Sequence, residues 1–184
     1  FGQLGQEDNE NRCDFVEIKM SARHPIEYIA CGSSSAYAVS NGQLFAWGDN
    51  PNGQLGFSSS NAHVLSPRHV SLEDEKVLHV FSGYNAHGAL IEQEGNKCHI
   101  IRKYHQPASE AFNLPNGEHL IDASLSNSTF FIVSNEGKCY ASGKQNLYTS
   151  SLGLGDRDEA WLVPIEFPVS LSIISISAGY QHAI

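Results

Sequence analysis

The chain has 184 residues, with 20 acidic and 11 basic side chains, a formal charge of −9, and 41% hydrophobic residues. The apolar share suffices for a core, and no apolar run approaches the ~18 residues that a membrane span needs. The basic residues are scattered, so the concentrated positive face that displaces counterions from nucleic acid is absent, and neither a nucleic-acid partner nor a membrane span is expected.

The chain opens on Phe1-Gly2-Gln3-Leu4-Gly5, followed by a strand-like segment, "DFVEIKM". Next come "EYIACG" and "SAYAVS", short runs of β-branched, aromatic and small residues that lack helical periodicity and suit buried strands. Asn41-Gly42 then joins "SAYAVS" to "QLFAWG"; Asn-Gly favours a two-residue hairpin because both positions tolerate positive φ. Gly53-Gln54-Leu55-Gly56 repeats the opening tetrapeptide, 51 residues later at Gly56 relative to Gly5. Beyond it lie "SPRHVSL", "LHVF" and a second hairpin, "GALIE" to "NKCHII" around Gly95. A third set holds "LIDA" and then "FFIVS" and "KCYASG" around Gly137, before a worn copy of the tetrapeptide that ends at Gly155. "WLVPIEF", "IISIS" and Gly179 close the pass.

Gly32, Gly83, Leu125 and Gly179 align as the anchors of these copies, with spacings of 51, 42 and 54 residues. A period of this size, made of short strands, marks a propeller or a solenoid. Each copy holds a leading strand, a hairpin and a further strand ahead of the leading one, which makes four, the content of a propeller blade. The fold expected is all-β, a partial β-propeller of four-stranded antiparallel blades, about three and a half in number. The copies are placed at 1–56, 57–110, 111–155 and, incomplete, 156–184. An open arc leaves an apolar blade face in solvent, so a segment of a longer chain is expected. Trp47 is expected to pack between neighbouring blades, with glycines at the turns. Cys31, Cys98 and Cys139 fall at strand positions and read as buried free thiols of a reducing compartment.

Catalytic motifs are missing. Cys98 and His99 are adjacent on a strand and point to opposite faces, so with His105 they do not form a metal site. "GDNPNG" reads as a turn, because glycine takes the fifth position of a calcium loop and no glutamate closes it. "LGLGDRDE" has no Lys-Ser to hold a phosphate. No catalytic residue, metal or cofactor is expected, and the chain reads as a non-enzyme.

The first full copy resembles the repeats of the regulator of chromosome condensation family. The residues that carry the likeness are Cys31, Gly32, Gly42, Leu44, Trp47, Gly48, Asn50, Gly53, Gln54, Leu55 and Gly56. Gly179 and His182 fit that family's Gly-x-x-His. The second copy has Ile101-Arg102 where the family has Trp-Gly, and the third has Ser142-Gly143. The resemblance implies a β-propeller, usually of seven blades, with a structural role for His182 among the inner strands.

Three functions follow from the likeness and from the irregular segments. The preferred one is a non-catalytic interaction scaffold. Its contact loops are sought in Arg102 to His119, Phe57 to His69 and Lys144 to Trp161, with Arg102, Tyr104, His105, Phe112, Tyr148, Arg157 and Trp161 as candidate contact residues. The alternatives are a guanine-nucleotide exchange factor, and a regulatory propeller of a ubiquitin ligase, kinase or ciliary protein. The expected partners are proteins, among them a small GTPase or a cytoskeletal assembly, in the cytoplasm or nucleus.

Overall fold

The computed structural model describes the chain apart from residues 52, 58–61, 73–75, 84–87, 94–96, 103–110, 127–128, 145–158, 169 and 180–184. The first sheet is β1 (Tyr28–Cys31), β2 (Ser35–Ser40), β3 (Gln43–Asp49) and β4 (His63–His69), hydrogen-bonded in that order. The second is β5 (Val77–Phe81), β6 (Gly88–Gln93), β7 (Lys97–Arg102) and β8 (Ala111–Asn113). The third is β9 (Leu120–Leu125), β10 (Thr129–Ser134), β11 (Cys139–Lys144) and β12 (Glu159–Pro164). Every pairing is antiparallel. Among the described residues the one helical feature is a 3₁₀ turn at Pro115–Gly117.

The sheets stay separate and pack face to face. β5 lies against β1 and β2, and β9 against β5 and β6. Tyr37, Val39, Leu44 and Phe45 of the first sheet share a core with Val77, Val80 and Ile91 of the second. Cys98 and Leu114 join Leu125, Phe130, Ile132 and Tyr140 in the next. β2 and β10 are buried along their whole length. That is why "SAYAVS" and "TFFIVS" lack the in–out alternation of a half-solvated strand. Each fully buried aliphatic or phenyl side chain contributes roughly 1.5–3 kcal/mol. This is an all-β partial propeller of four-stranded blades.

Shared register reveals the repeat more sharply than spacing does. Ala36 pairs with Trp47 in the first sheet, Ala89 with Ile101 in the second and Phe130 with Ser142 in the third. The replacements for Trp-Gly thus occupy the tryptophan position, and Gly48 and Gly143 both follow a register shift with positive φ.

The register corrects four expectations. The anchor of the third sheet is Ser126, not Leu125: the Ser126 N–H donates to the Thr129 carbonyl (2.8 Å), as the Gly32 N–H donates to that of Ser35 (2.9 Å). "SPRHVSL" and "WLVPIEF" do not lead the sheet that follows them; as β4 and β12 they pair with β3 and β11 of the sheet before. The four-stranded unit therefore straddles the sequence copies, because the outer strand closes its own hairpin before the chain crosses to the next inner strand. "DFVEIKM" pairs with no strand. Cys31 is exposed while Cys98 and Cys139 are buried, since β1 has no preceding sheet over it among the described residues; all the cysteines are free.

Trp47 is buried in the core cluster that the first two sheets share. Its indole N–H donates to the Gln3 carbonyl (2.9 Å), and its ring edge lies against Gly5, where an added Cβ would sit 3.0 Å from Nε1. The hydrogen-bond partner of the indole is the opening Gly2–Gly5 turn. The two tetrapeptide copies share one conformation: Gly5 N–H bonds Gly2 O and Gly56 N–H bonds Gly53 O, both at 2.9 Å, with positive φ at all four glycines. Only glycine enters that region at little cost, which explains why the spelling repeats.

Candidate functional site

Antiparallel order divides the connections between two ends of the sheets. One end carries the hairpin turns between the central strands and the crossovers from sheet to sheet. Val77 N–H bonds Gly42 O, Asn135 N–H bonds His119 O, and Ile173 N–H bonds Gly137 O, each at 2.9 Å, so every crossover passes a hairpin turn. The other end carries the turns after β1, β5 and β9 and the connections β3–β4, β7–β8 and β11–β12. These last run over residues 50–62, 103–110 and 145–158. All three long connections thus begin and end on one side of the molecule, each on a blade of its own.

The described base of this end is firmly held. Asp49 N–H donates to Ser34 O (2.8 Å), tying the β3–β4 connection to the turn after β1. Asn50 N–H donates to Ala62 O (2.7 Å), and Asn50 Oδ1 accepts from Leu55 N–H (3.0 Å). The buried Tyr37 hydroxyl donates to Gln54 O (3.1 Å), and burial pushes its ionisation upward. Leu55 is fully buried beneath the turn. Above it the Arg68 guanidinium stacks over the Phe57 ring at 4.9 Å, and His63 Nδ1 lies 3.2 Å from Asp49 Oδ1.

The candidate contact residues divide in three. Tyr104, His105, Tyr148 and Arg157 lie outside the described residues, as do the anchors Gly95, Gly155 and His182. Arg102 is the last residue of β7, and Trp161 lies within β12. Phe112 is a strand residue of β8, partly buried against the core with its ring 6.2 Å from that of Phe130. The irregular segments are accordingly shorter than expected: β4 takes His63–His69, and β8 and the 3₁₀ turn take much of Arg102 to His119.

The remaining chemistry is structural. Burial, with the Glu92 carboxylate adding to it, pushes the Cys98 thiol up to about 12, and burial pushes Cys139 up to about 11, so neither offers a thiolate near neutral pH. Glu118, which the sequence did not single out, sits in the crossover to β9 and accepts from Lys138 Nζ and from the Tyr140 hydroxyl (2.9 Å). Burial opposes its charge, but the bonds from Lys138 and Tyr140 outweigh that and hold the carboxyl below its ordinary value. Tyr140 is pushed up to about 12 by burial and by Glu118. Among the described residues no group of His, Cys, Asp and Glu is placed to hold a metal, and no helix is long and apolar enough to cross a membrane.

Comparison with known proteins agrees with this architecture. The X-linked retinitis pigmentosa GTPase regulator of Homo sapiens is 37% identical over 39% of this chain and 7% of its own length. The regulator of chromosome condensation of Xenopus laevis is 23% identical over 94% of this chain and 44% of its own. Among solved structures, human WBSCR16 superposes with a TM-score of 0.71 at 19% identity, over 86% of this chain and 43% of that one. Prp20p of Saccharomyces cerevisiae gives 0.68 at 19%, over 85% and 42%. The chain spans less than half the length of each of these proteins. The family model described as the regulator of chromosome condensation (RCC1) repeat matches residues 41–90. That match begins at the first hairpin turn and ends inside β6, straddling two sheets just as the structural units straddle the sequence copies. Over residues 41–90 the chain matches the RCC1 repeat, and along its length it is similar to RCC1-like proteins.

Proposed function

We propose that this propeller is a non-catalytic platform whose long-loop end docks protein partners. The observation that carries the reading is the placement of the three longest connections on one side of three rigid sheets. Function in such folds resides in loops held by a stiff frame, and the frame alone does not specify it. Relatives give the class of partner to test. One is named as a GTPase regulator, and the Prp20p structure was described together with binding to Gsp1p and histones. A small GTPase is therefore the first partner to try, with guanine-nucleotide exchange as the second reading of the same surface.

The test titrates the full chain against a panel of small GTPases and against histones by interferometry, with nucleotide release followed in parallel. Replacing residues 103–110 and 145–158 by short Gly-Ser links is expected to weaken binding at least about tenfold, the scale of losing one or two anchor side chains. Binding indifferent to both replacements would place the contact elsewhere. Faster nucleotide release would make the chain an exchange factor.

A further inference from the structure

Asn-Gly occurs three times in the chain, at Asn41-Gly42, Asn52-Gly53 and Asn116-Gly117. The dipeptide is chemically labile wherever the chain can bend, because glycine has no Cβ to shield its nitrogen from the carboxamide carbon of the asparagine. The fold holds the three copies differently. Asn41 and Gly42 form the two-residue turn between β2 and β3, at φ 48° and 75°, with Ser40 paired to Gln43. The Gly42 carbonyl accepts from Val77 N–H, and the Lys76 side chain packs over the glycine, 2.8 Å from an added Cβ. At the second copy the Gly53 nitrogen is itself engaged, donating to Asn50 O (3.1 Å), while Asn52 lies outside the described residues.

Asn116 and Gly117 adopt the same backbone, at φ 57° and 73°, in an exposed tip between the buried Leu114 and Glu118. The backbone bond that closes this tip is internal, from Glu118 N–H to Pro115 O (3.1 Å), and nothing lies within 4 Å of a Cβ added at Gly117. Tethers to other elements begin at Glu118, held by Lys138 and Tyr140, and at His119, which exchanges two bonds with Asn135. One dipeptide in one conformation is thus clamped by β5 at 41–42, and among the described residues no other element clamps it at 116–117. An amide nitrogen attacks only from a near-attack arrangement, about 3–3.5 Å from the carbon, so freedom to rotate the Asn-Gly peptide governs the rate.

We propose that Asn116 is a site of spontaneous covalent modification, at which the chain deamidates through a succinimide. The Gly117 nitrogen loses its proton to solvent base and attacks Asn116 Cγ. A C–N bond forms there, and the side-chain nitrogen leaves as ammonia. Water then adds to either ring carbonyl and reopens the ring, giving aspartate or isoaspartate. The net change is uptake of one water and release of one ammonia, and neither step needs an enzyme or an oxidant. Both products place a new carboxylate two residues before Glu118. Isoaspartate also adds a methylene to the main chain, inside the crossover that brings Glu118 to Lys138 and Tyr140. The site is at the crossover end of the sheets and stands or falls independently of the loop platform.

The experiment incubates the full chain in warm, mildly alkaline buffer and follows each Asn-Gly by peptide mapping with mass spectrometry, aspartate and isoaspartate being separated by chromatography. Asn116 is expected to convert first, with Asn41 and Asn52 about tenfold slower or more, the factor that one further backbone bond to break imposes on a rate. In concentrated urea the three rates should come together, because the restraint belongs to the fold. Gly117→Ala should slow conversion at Asn116 in the folded and the unfolded chain alike, since the added methyl group shields the nitrogen. The proposal is overturned if Asn41 or Asn52 converts as fast as Asn116 in the folded chain, if the differences persist undiminished in urea, or if Gly117→Ala leaves the rate at Asn116 unchanged.

Discussion

Gly83 is the position where the geometry of the blades can be tested with one methyl group. A Cβ built there would lie 1.8 Å from the Leu125 carbonyl oxygen and 2.7 Å from its carbon, both backbone atoms of the neighbouring inner strand. Ordinary contact begins at 3.4 Å, so β5 and β9 would have to part by about 1.6 Å. No rotamer can relieve a clash between two backbones. Gly83 is not in the left-handed region, so its φ adds no strain of its own to Gly83→Ala. Overpacking costs typically about 1–3 kcal/mol, and a clash with a backbone atom belongs at the upper end, about 3 kcal/mol or more. Gly117 supplies the opposite case: φ is +73° and nothing lies within 4 Å of an added Cβ. Gly117→Ala should cost only the left-handed penalty, about 1–2 kcal/mol. Urea unfolding of the full chain, followed by tryptophan fluorescence, measures both. With a slope of about 2 kcal/mol/M, Gly83→Ala should lower the midpoint by about 1.5 M, and Gly117→Ala by about 0.5–1 M. If Gly83→Ala costs no more than Gly117→Ala, the inner strands do not converge as described and the blade packing is wrong.

Two further outcomes are expected. Glu118→Gln should cost about 1–3 kcal/mol at pH 7, because it weakens a buried acceptor that serves Lys138 and Tyr140. The folded carboxyl lies below its ordinary 4.5, so its contribution is complete above that value and fades as pH falls through the folded one; a gap between parent and variant that is unchanged from pH 7 to pH 3 would refute the assignment. Ellman's reagent should modify Cys13 and Cys31 in the folded chain, and Cys98 and Cys139 only after urea is added; rapid modification of all four in the folded chain would contradict the burial of β7 and β11.

The class of this fold was legible in local signals along the chain. The Asn-Gly turn, the repeated Gly-Gln-Leu-Gly and the short β-branched runs each act locally: φ preference and strand propensity do not depend on distant contacts. The equivalence of Trp47-Gly48 with Ser142-Gly143 was legible for the same reason, since the landmark glycine survives beside a changed neighbour. The bulges of β5 and β9 also left a sequence signal, in the doublets Val77-Leu78 and Leu120-Ile121. It could not be read without the register, because a bulge is a property of two strands and a doublet belongs to one.

Tertiary structure alone decided where each blade begins and ends. Strand pairing assigned His63–His69 to the sheet before it, which spacing cannot show, because a periodic chain has the same period in any phase. It also decided that Phe112 lies partly buried against the core, that Cys31 is exposed and Cys139 is not, and that the long connections share one end of the sheets. Those facts rest on which surfaces meet, and surfaces meet only after segments far apart in the chain have been brought side by side.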